Sequence, residues 1–385
     1  MEFGFSEEQE MLRQSARQFL ESECSMTYVR KMMEDDTGYS EEQWKKMAAL
    51  GWLGLILPEQ YGGSGLSMVD LIVVLEEMGR VVMPGPFFAT VLLGALAIDL
   101  GGSAAQKQRY LPEIAAGNLK VSLAQLEESG RWDAEGIELP AKKNGDGYAL
   151  SGTKLFVHDA HNAGLLIVPA RTTGSGTAGI TLFLVEAQQP GVKITLLKTL
   201  DQTRKLCDVS FTGVEVRSDA VLGRPDHGWP LLDRIVDSAK VGVCAEMCGG
   251  AQKVLEMSVE YAKVREQFGR PIGSFQAIQH KCANMMLQTE SAKSATYYAA
   301  WAAANAVPEA HLAACMAKAY CSDAYRFVTA EGIQIHGGIG FTWEHDIHLY
   351  FKRAKGSEVT FGDATWNREL VAQEVLDRPL DPLNP

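Results

Sequence analysis

Apolar residues recur at helical spacing from the start of the chain. Met11, Leu12, Ala16, Phe19 and Leu20 fall on one face of a 3.6-residue period. Ser6-Glu7-Glu8-Gln9, just ahead of them, has the form of a capping box, in which hydroxyl and amide side chains satisfy each other's backbone donors. The period continues through residues 44–50 and breaks at a loop over 57–66 that holds Pro58, Gly62, Gly63 and Gly65. It resumes after Ser67, a candidate cap, with Leu71, Val74, Leu75 and Met78 as an apolar stripe. Helix then extends to about Ala116, so residues 1–120 are predicted to be a helical domain.

Near Lys120 the pattern changes. Residues 121–124, 148–152, 164–169, 180–185, 192–196 and 207–211 are short apolar or alternating runs. Turns rich in Gly, Asp and Asn separate them, as at Asn144-Gly145-Asp146-Gly147. Residues 121–228 are predicted to be a β domain, barrel or sandwich. From Trp229 the helical period returns. Residues 239–264 and 277–306 can each run as one long helix, Pro308 opens a third, and a last begins near Ala364. Residues 229–385 therefore read as a four-helix bundle, and the whole chain as an α+β multidomain protein.

Composition narrows the function classes. The 385 residues suffice for two or three domains, and the 46% hydrophobic and 22% charged fractions are those of a globular protein. A net charge of −12 argues against nucleic-acid binding, which needs a basic footprint. There is no basic-then-apolar start of signal-peptide type and no run of about twenty apolar residues to span a bilayer. The seven cysteines are scattered without CxxC spacing, and Cys244 and Cys248, four apart on a helix, read as core. A reducing, cytoplasmic setting is expected.

Several motifs carry candidate chemistry. Residues 174–179 match GxGxxG but lie between two strand-like runs, so they read as a turn rather than a dinucleotide fingerprint. His345-Asp346-Ile347-His348 lacks a third ligand at usable spacing, and no metal site is expected. Arg265-Glu266-Gln267-Phe268-Gly269-Arg270-Pro271-Ile272 ends a long helix on a cation and turns sharply. Its guanidinium either grips a diphosphate or neutralises the helix C-terminus. In Gln334-Ile335-His336-Gly337-Gly338-Ile339-Gly340-Phe341, the close glycines let backbone amides approach a ligand and Gln334 offers an orienting amide.

These two segments, with Glu358-Val359-Thr360-Phe361-Gly362-Asp363-Ala364-Thr365 and the Glu59-Gln60-Tyr61-Gly62-Gly63 loop, resemble the acyl-CoA dehydrogenase flavoprotein family over nearly the whole chain. The resemblance implies FAD as cofactor, an acyl-CoA substrate and electron-transfer flavoprotein as electron acceptor. It also implies that Arg265, Phe268, Gln334, Gly337 and Gly338 bind the pyrophosphate and adenosine of a neighbouring subunit's FAD. Shared FAD implies an oligomer, homomeric or heteromeric, with a tetramer expected.

The chain departs from the family where the chemistry is done. Phe361 stands where many members carry a catalytic glutamate, and Asp363 replaces the threonine after the glycine. The alternative base position of some relatives matches Ala239. Glu246, about 10 Å further along the same helix face, is the remaining candidate base. It serves equally as a carboxylate paired with Lys240 or with a cation on another helix. Residues 125–133 replace the family's Thr-Glu-Pro…Gly-Ser-Asp loop, and Phe156-Val157-His158 replaces its Trp-Ile-Thr strand. Phe156 can still stack on a flavin and His158 can still donate to N5. Glu127, Glu128 and Asp363 add negative charge that opposes phosphate binding unless cations compensate.

Three readings follow. The chain is the base-deficient subunit of a heteromeric acyl-CoA dehydrogenase, completing a partner's FAD site. Alternatively it is self-sufficient, using Glu246 or another carboxylate; more remotely, it is an FAD-independent acyl-CoA lyase or hydratase. Gly242, Ala245, Gly249 and Gly250 leave room for a bulky or cyclic acyl group or allow close helix packing.

Overall fold

A computed structural model describes residues 4–376. The capping box forms: Ser6 and Gln9 exchange side chain–backbone bonds at the start of α1 (Glu7–Glu23). α2 (Met26–Glu34), α3 (Glu41–Ala49) and α4 (Met68–Arg80) follow. A π-helical stretch (Ala89–Ala95) then leads into α5 (Leu96–Gly101) and α6 (Ala104–Ala115). The β region comprises β1 (Val121–Leu123), β2 (Ala141–Asn144), β3 (Gly147–His158) and β4 (Leu165–Arg171). It continues with β5 (Ile180–Glu186), β6 (Val192–Leu196), β7 (Leu206–Arg217) and β8 (Val221–Leu222). α7 (Trp229–Val264) is followed by the hairpin β9 (Glu266–Gln267) and β10 (Arg270–Pro271). α8 (Gln276–Ala304), α9 (Ala310–His336), α10 (Ile347–Val359) and α11 (Ala364–Leu376) complete the order. No described helix is long and apolar enough to cross a membrane.

The chain divides into two compact units. One takes the residues up to Met26, Met68–Met83 and those from Lys240 onward; the other takes Thr27–Ser67 and Pro84–Ala239. The helical stretch expected as a single region over 1–120 is therefore shared between them. Within the first unit α1 packs on α4, and α4 packs on α8.

In the first unit, the stripe Leu71, Val74, Leu75 and Met78 of α4 is buried as its spacing predicts. Close backbone approach does the rest. A Cβ on Gly249 would lie 1.8 Å from the Glu76 carbonyl oxygen, and one on Gly79 would lie 2.0 Å from that of Glu246. A Cβ on Gly250 would meet the Tyr325 hydroxyl at 2.3 Å. Gly249 and Gly250 thus serve helix packing. Cys244 and Cys248 are buried thiols in this core. Charged residues of α4 are buried only with partners. Glu77 accepts from Arg17 at 2.7 Å, and Glu76 accepts from the Tyr297 hydroxyl at 2.7 Å.

The second unit holds two four-stranded sheets, in the orders β1-β4-β5-β8 and β2-β3-β7-β6. Among the described strands, β1 and β4 are the pair that runs parallel, in the register Val121↔Leu165. Leu166, Val168, Phe183 and Val185 of one sheet and Leu150, Val209, Phe211 and Val214 of the other share one core, making a sandwich. The β3–β7 ladder is irregular between Lys154 and Val157, where Phe156 takes a left-handed φ of 52°. The GxGxxG-like residues join β4 to β5, as a turn. Arg171 secures them by donating to the carbonyls of Gly176 (2.9 Å) and Ala178 (2.6 Å).

Candidate active site

The segment between α10 and α11 is built around two successive left-handed residues, Phe361 (φ 58°) and Gly362 (φ 85°). Glycine suits the second position, because a Cβ there would also meet Trp366 at 2.2 Å. For a phenylalanine the conformation costs on the order of 1–3 kcal/mol and needs surroundings that enforce it. They are present. Lys318 of α9, wholly buried, donates from Nζ to the carbonyls of Glu358 and Gly362 and to Oγ of Ser322, each at 2.9 Å. Asn367 Nδ2 donates to the carbonyls of Gly362 and Asp363 at 3.0 Å and, at 3.4 Å, to that of Phe361. Burial pushes the Lys318 ammonium down to about 8. The Phe361 ring is itself buried. Asp363 caps α11, its Oδ1 accepting from the Trp366 amide at 2.8 Å.

Glu246 is buried on α7, and its Oε2 lies 3.8 Å from Nη1 of Arg353 on α10. Arg353, buried too, also donates to the carbonyls of Met83 (3.1 Å) and Val82 (3.3 Å). The carboxylate therefore faces a fixed cation on another helix, one of the two arrangements expected for it. Ala239 is fully buried and offers no proton acceptor.

The residues assigned to a neighbour's cofactor lie at the surface. Arg265 is exposed at the end of α7, where its carbonyl accepts from Ile272 and closes the β9–β10 hairpin. Phe268, at the hairpin tip, is 92% exposed with a φ of 55°. Gln334, exposed near the end of α9, lines a cavity of about 500 Å³ with Ile333, Phe341, Trp343, Phe351 and Lys352. Cβ atoms built on Gly337 or Gly338 meet nothing within 4 Å. This turn has room for an incoming group that the chain itself does not fill. The hairpin residues do not line the Gln334 cavity. In the segment that follows, His345 Nδ1 accepts from the Ile347 amide at 3.2 Å and His348 packs edge-on to Trp343.

On the sandwich, Glu127 was expected to oppose phosphate unless a cation compensates, and a cation does. Lys154 of β3, wholly buried, donates to its Oε1 at 2.6 Å, while the amides of Glu138 and Leu139 donate to the same carboxylate. Burial pushes Lys154 down to about 8, with Glu127 opposing the shift. Glu128 is exposed. Gln125 is buried, and neither its Nε2 nor its Oε1 has a hydrogen-bond partner among the described residues. An unsatisfied buried carboxamide costs about 1–3 kcal/mol per lost bond, so this side chain suits a polar ligand edge or an ordered water. Phe156 is 49% exposed, as a stacking surface must be. His158 is buried, its ring 5.9 Å from that of Phe88 and its carbonyl accepting from Ser122. Within the second unit, Gln125 and Phe156 are compatible with a flavin ring; within the first, the open Gly337–Gly338 turn is by itself compatible with a phosphate-bearing group.

Sequence reasoning missed Lys154, Lys318, Asn367 and Arg353. Lys318 left a signal, a lone cation within the small apolar run of residues 313–319.

Comparisons with known proteins agree along the whole chain. Models described as the N-terminal, middle and C-terminal domains of acyl-CoA dehydrogenase match residues 6–118, 122–214 and 226–376. The chain is 34% identical over 352 residues to acyl-CoA dehydrogenase IpdE2 of Mycobacterium tuberculosis, covering 91% of this chain and 92% of that protein. Among solved structures it is similar to butyryl-CoA dehydrogenase from Megasphaera elsdenii (TM-score 0.91, 29% identity, 98% and 100% coverage). It is also similar to a variant of the Tcur3481-Tcur3483 steroid ACAD (TM-score 0.88, 31% identity, 96% and 98% coverage).

Proposed function

This chain belongs to the acyl-CoA dehydrogenase family, and on that premise we propose that it is the base-deficient subunit of a heteromeric acyl-CoA dehydrogenase. The family binds FAD, which when bound accepts the β-hydride of an acyl-CoA thioester. A protein carboxylate must then take the α-proton of the oriented thioester, and this chain carries Phe361 and Ala239 at the two positions where relatives place that base. The observation that carries the proposal is Phe361, a buried phenyl ring on the turn where many relatives carry the glutamate.

In this reading Arg265, Phe268, Gln334, Gly337 and Gly338 serve the FAD of a base-bearing sibling chain. The open space around the two glycines supports that role. The solved steroid ACAD bears two component names, which accords with a two-chain enzyme. A steroid-derived or other cyclic acyl-CoA is the proposed substrate class, with electron-transfer flavoprotein as acceptor and two copies of each chain in the assembly. The test is turnover: this chain alone should not reduce a dye acceptor with any acyl-CoA, and co-expression with a base-bearing sibling should confer the activity. Acyl-CoA turnover by the purified chain alone would overturn the proposal.

A second reading, self-sufficient dehydrogenation with Glu246 as base, draws support from the flavin side. Gln125 is unpaired and the charge of Glu127 is neutralised, so own-chain flavin binding is not opposed there. The Arg353 partner of Glu246 weighs against it.

A further inference from the structure

The Phe361–Gly362 turn is held by groups that ignore the side chain it carries. Both carbonyls that Lys318 grips, those of Glu358 and Gly362, bracket Phe361, and Asn367 binds the three consecutive carbonyls of residues 361–363. Every partner of the Lys318 Nζ is an acceptor in these bonds. The Ser322 hydroxyl spends its hydrogen on the Lys318 carbonyl at 2.7 Å and can only accept from Nζ. An ammonium supplies three hydrogens for three acceptors. A neutral amine supplies two, and turns its lone pair toward an oxygen.

We propose that Lys318 is the positioning residue for side chain 361, holding the left-handed turn through its ammonium and releasing one end of it on deprotonation. The groups facing Lys318 are Lys240 and Cys244 of α7, Cys321 of α9 and Glu358 of α10. Of these, Lys240 disfavours the ammonium and Glu358 favours it, while burial is the dominant influence and brings its titration to about 8. Release therefore falls within mildly alkaline pH. Whatever stands at 361, phenyl ring or carboxylate, takes its direction from this clamp. The inference rests on the turn geometry and is independent of the heteromer reading.

The test places 4-fluorophenylalanine at position 361 of the full chain and follows its fluorine resonance from pH 6.5 to 9.5. The resonance is expected to move along a one-proton curve with a midpoint near 8. In Lys318→Arg, a permanent cation, the movement should vanish. In Asn367→Ala, which removes the other support but keeps the ammonium, it should persist. A resonance that stays fixed across the range in the unmodified background, or an equal titration in Lys318→Arg, overturns the proposal. Should Lys318→Arg fail to fold, the unmodified background alone still decides, because a fixed resonance refutes the release.

Discussion

Glu246→Gln separates a catalytic carboxylate from a structural one. The substitution keeps shape and removes charge, leaving Arg353 buried without this carboxylate while it still donates to the carbonyls of Val82 and Met83. At 3.8 Å, two unit charges interact by about 4 kcal/mol at an effective dielectric of 20. Breaking one side of a buried pair costs about 3–5 kcal/mol, because the surviving charge has no match. We therefore expect Glu246→Gln to lower the unfolding free energy by roughly 3 kcal/mol, with a similar loss in Arg353→Met. The double variant should lose less than the sum, with a coupling of at least about 2 kcal/mol. Urea denaturation followed by circular dichroism measures all three. Exchange of the acyl-CoA α-proton into D2O, assayed with the sibling chain present, should be unchanged per folded molecule. Additive losses, or an intact stability with exchange abolished, would refute the structural assignment and make Glu246 a base.

Gly338→Ala should leave the stability of the chain within about 0.5 kcal/mol, since its Cβ meets nothing. It should nonetheless lower the flavin retained by the assembled enzyme after desalting, read from visible absorbance. Gly249→Ala drives a Cβ to 1.8 Å from the Glu76 carbonyl oxygen and should cost about 3 kcal/mol, the upper end of the usual overpacking range, in denaturant melts. Lys154 gives a pH dependence of definite sign. Its folded value of about 8 lies below the ordinary 10.5, so between these the unfolded chain binds more protons and stability rises with pH. Relative to Lys154→Met/Glu127→Gln, the unsubstituted chain should gain about 1 kcal/mol between pH 8 and 9 in parallel melts.

What could be read from the sequence was local. The Ser6–Gln9 box closes over three residues, the α4 stripe repeats within one helix, and residues 174–179 betray themselves by the strands on either side. What could not be read was pairing at a distance. The cation that compensates Glu127 was not legible because Lys154 lies 27 residues away on β3, and Glu246 finds Arg353 across more than a hundred residues. Gly249 and Gly250 allowed either a roomy pocket or tight packing, and only the positions of the Glu76 carbonyl and Tyr325 decide between them.

These distant partners change which departures from the family still matter. Glu127 is neutralised and Asp363 caps α11, so neither stands as a free charge set against a phosphate. Of the remaining departures, Phe361 and Ala239 are the two that remove a proton acceptor. Arg265, Gln334 and the Gly337–Gly338 turn remain exposed, while Lys318 and Asn367 still hold the turn at 361. A chain altered in this way is expected to retain flavin-binding surface and lack proton abstraction. That combination suits a subunit that completes a neighbour's cofactor site, and it makes Phe361→Glu the substitution that should convert this chain toward a self-sufficient dehydrogenase.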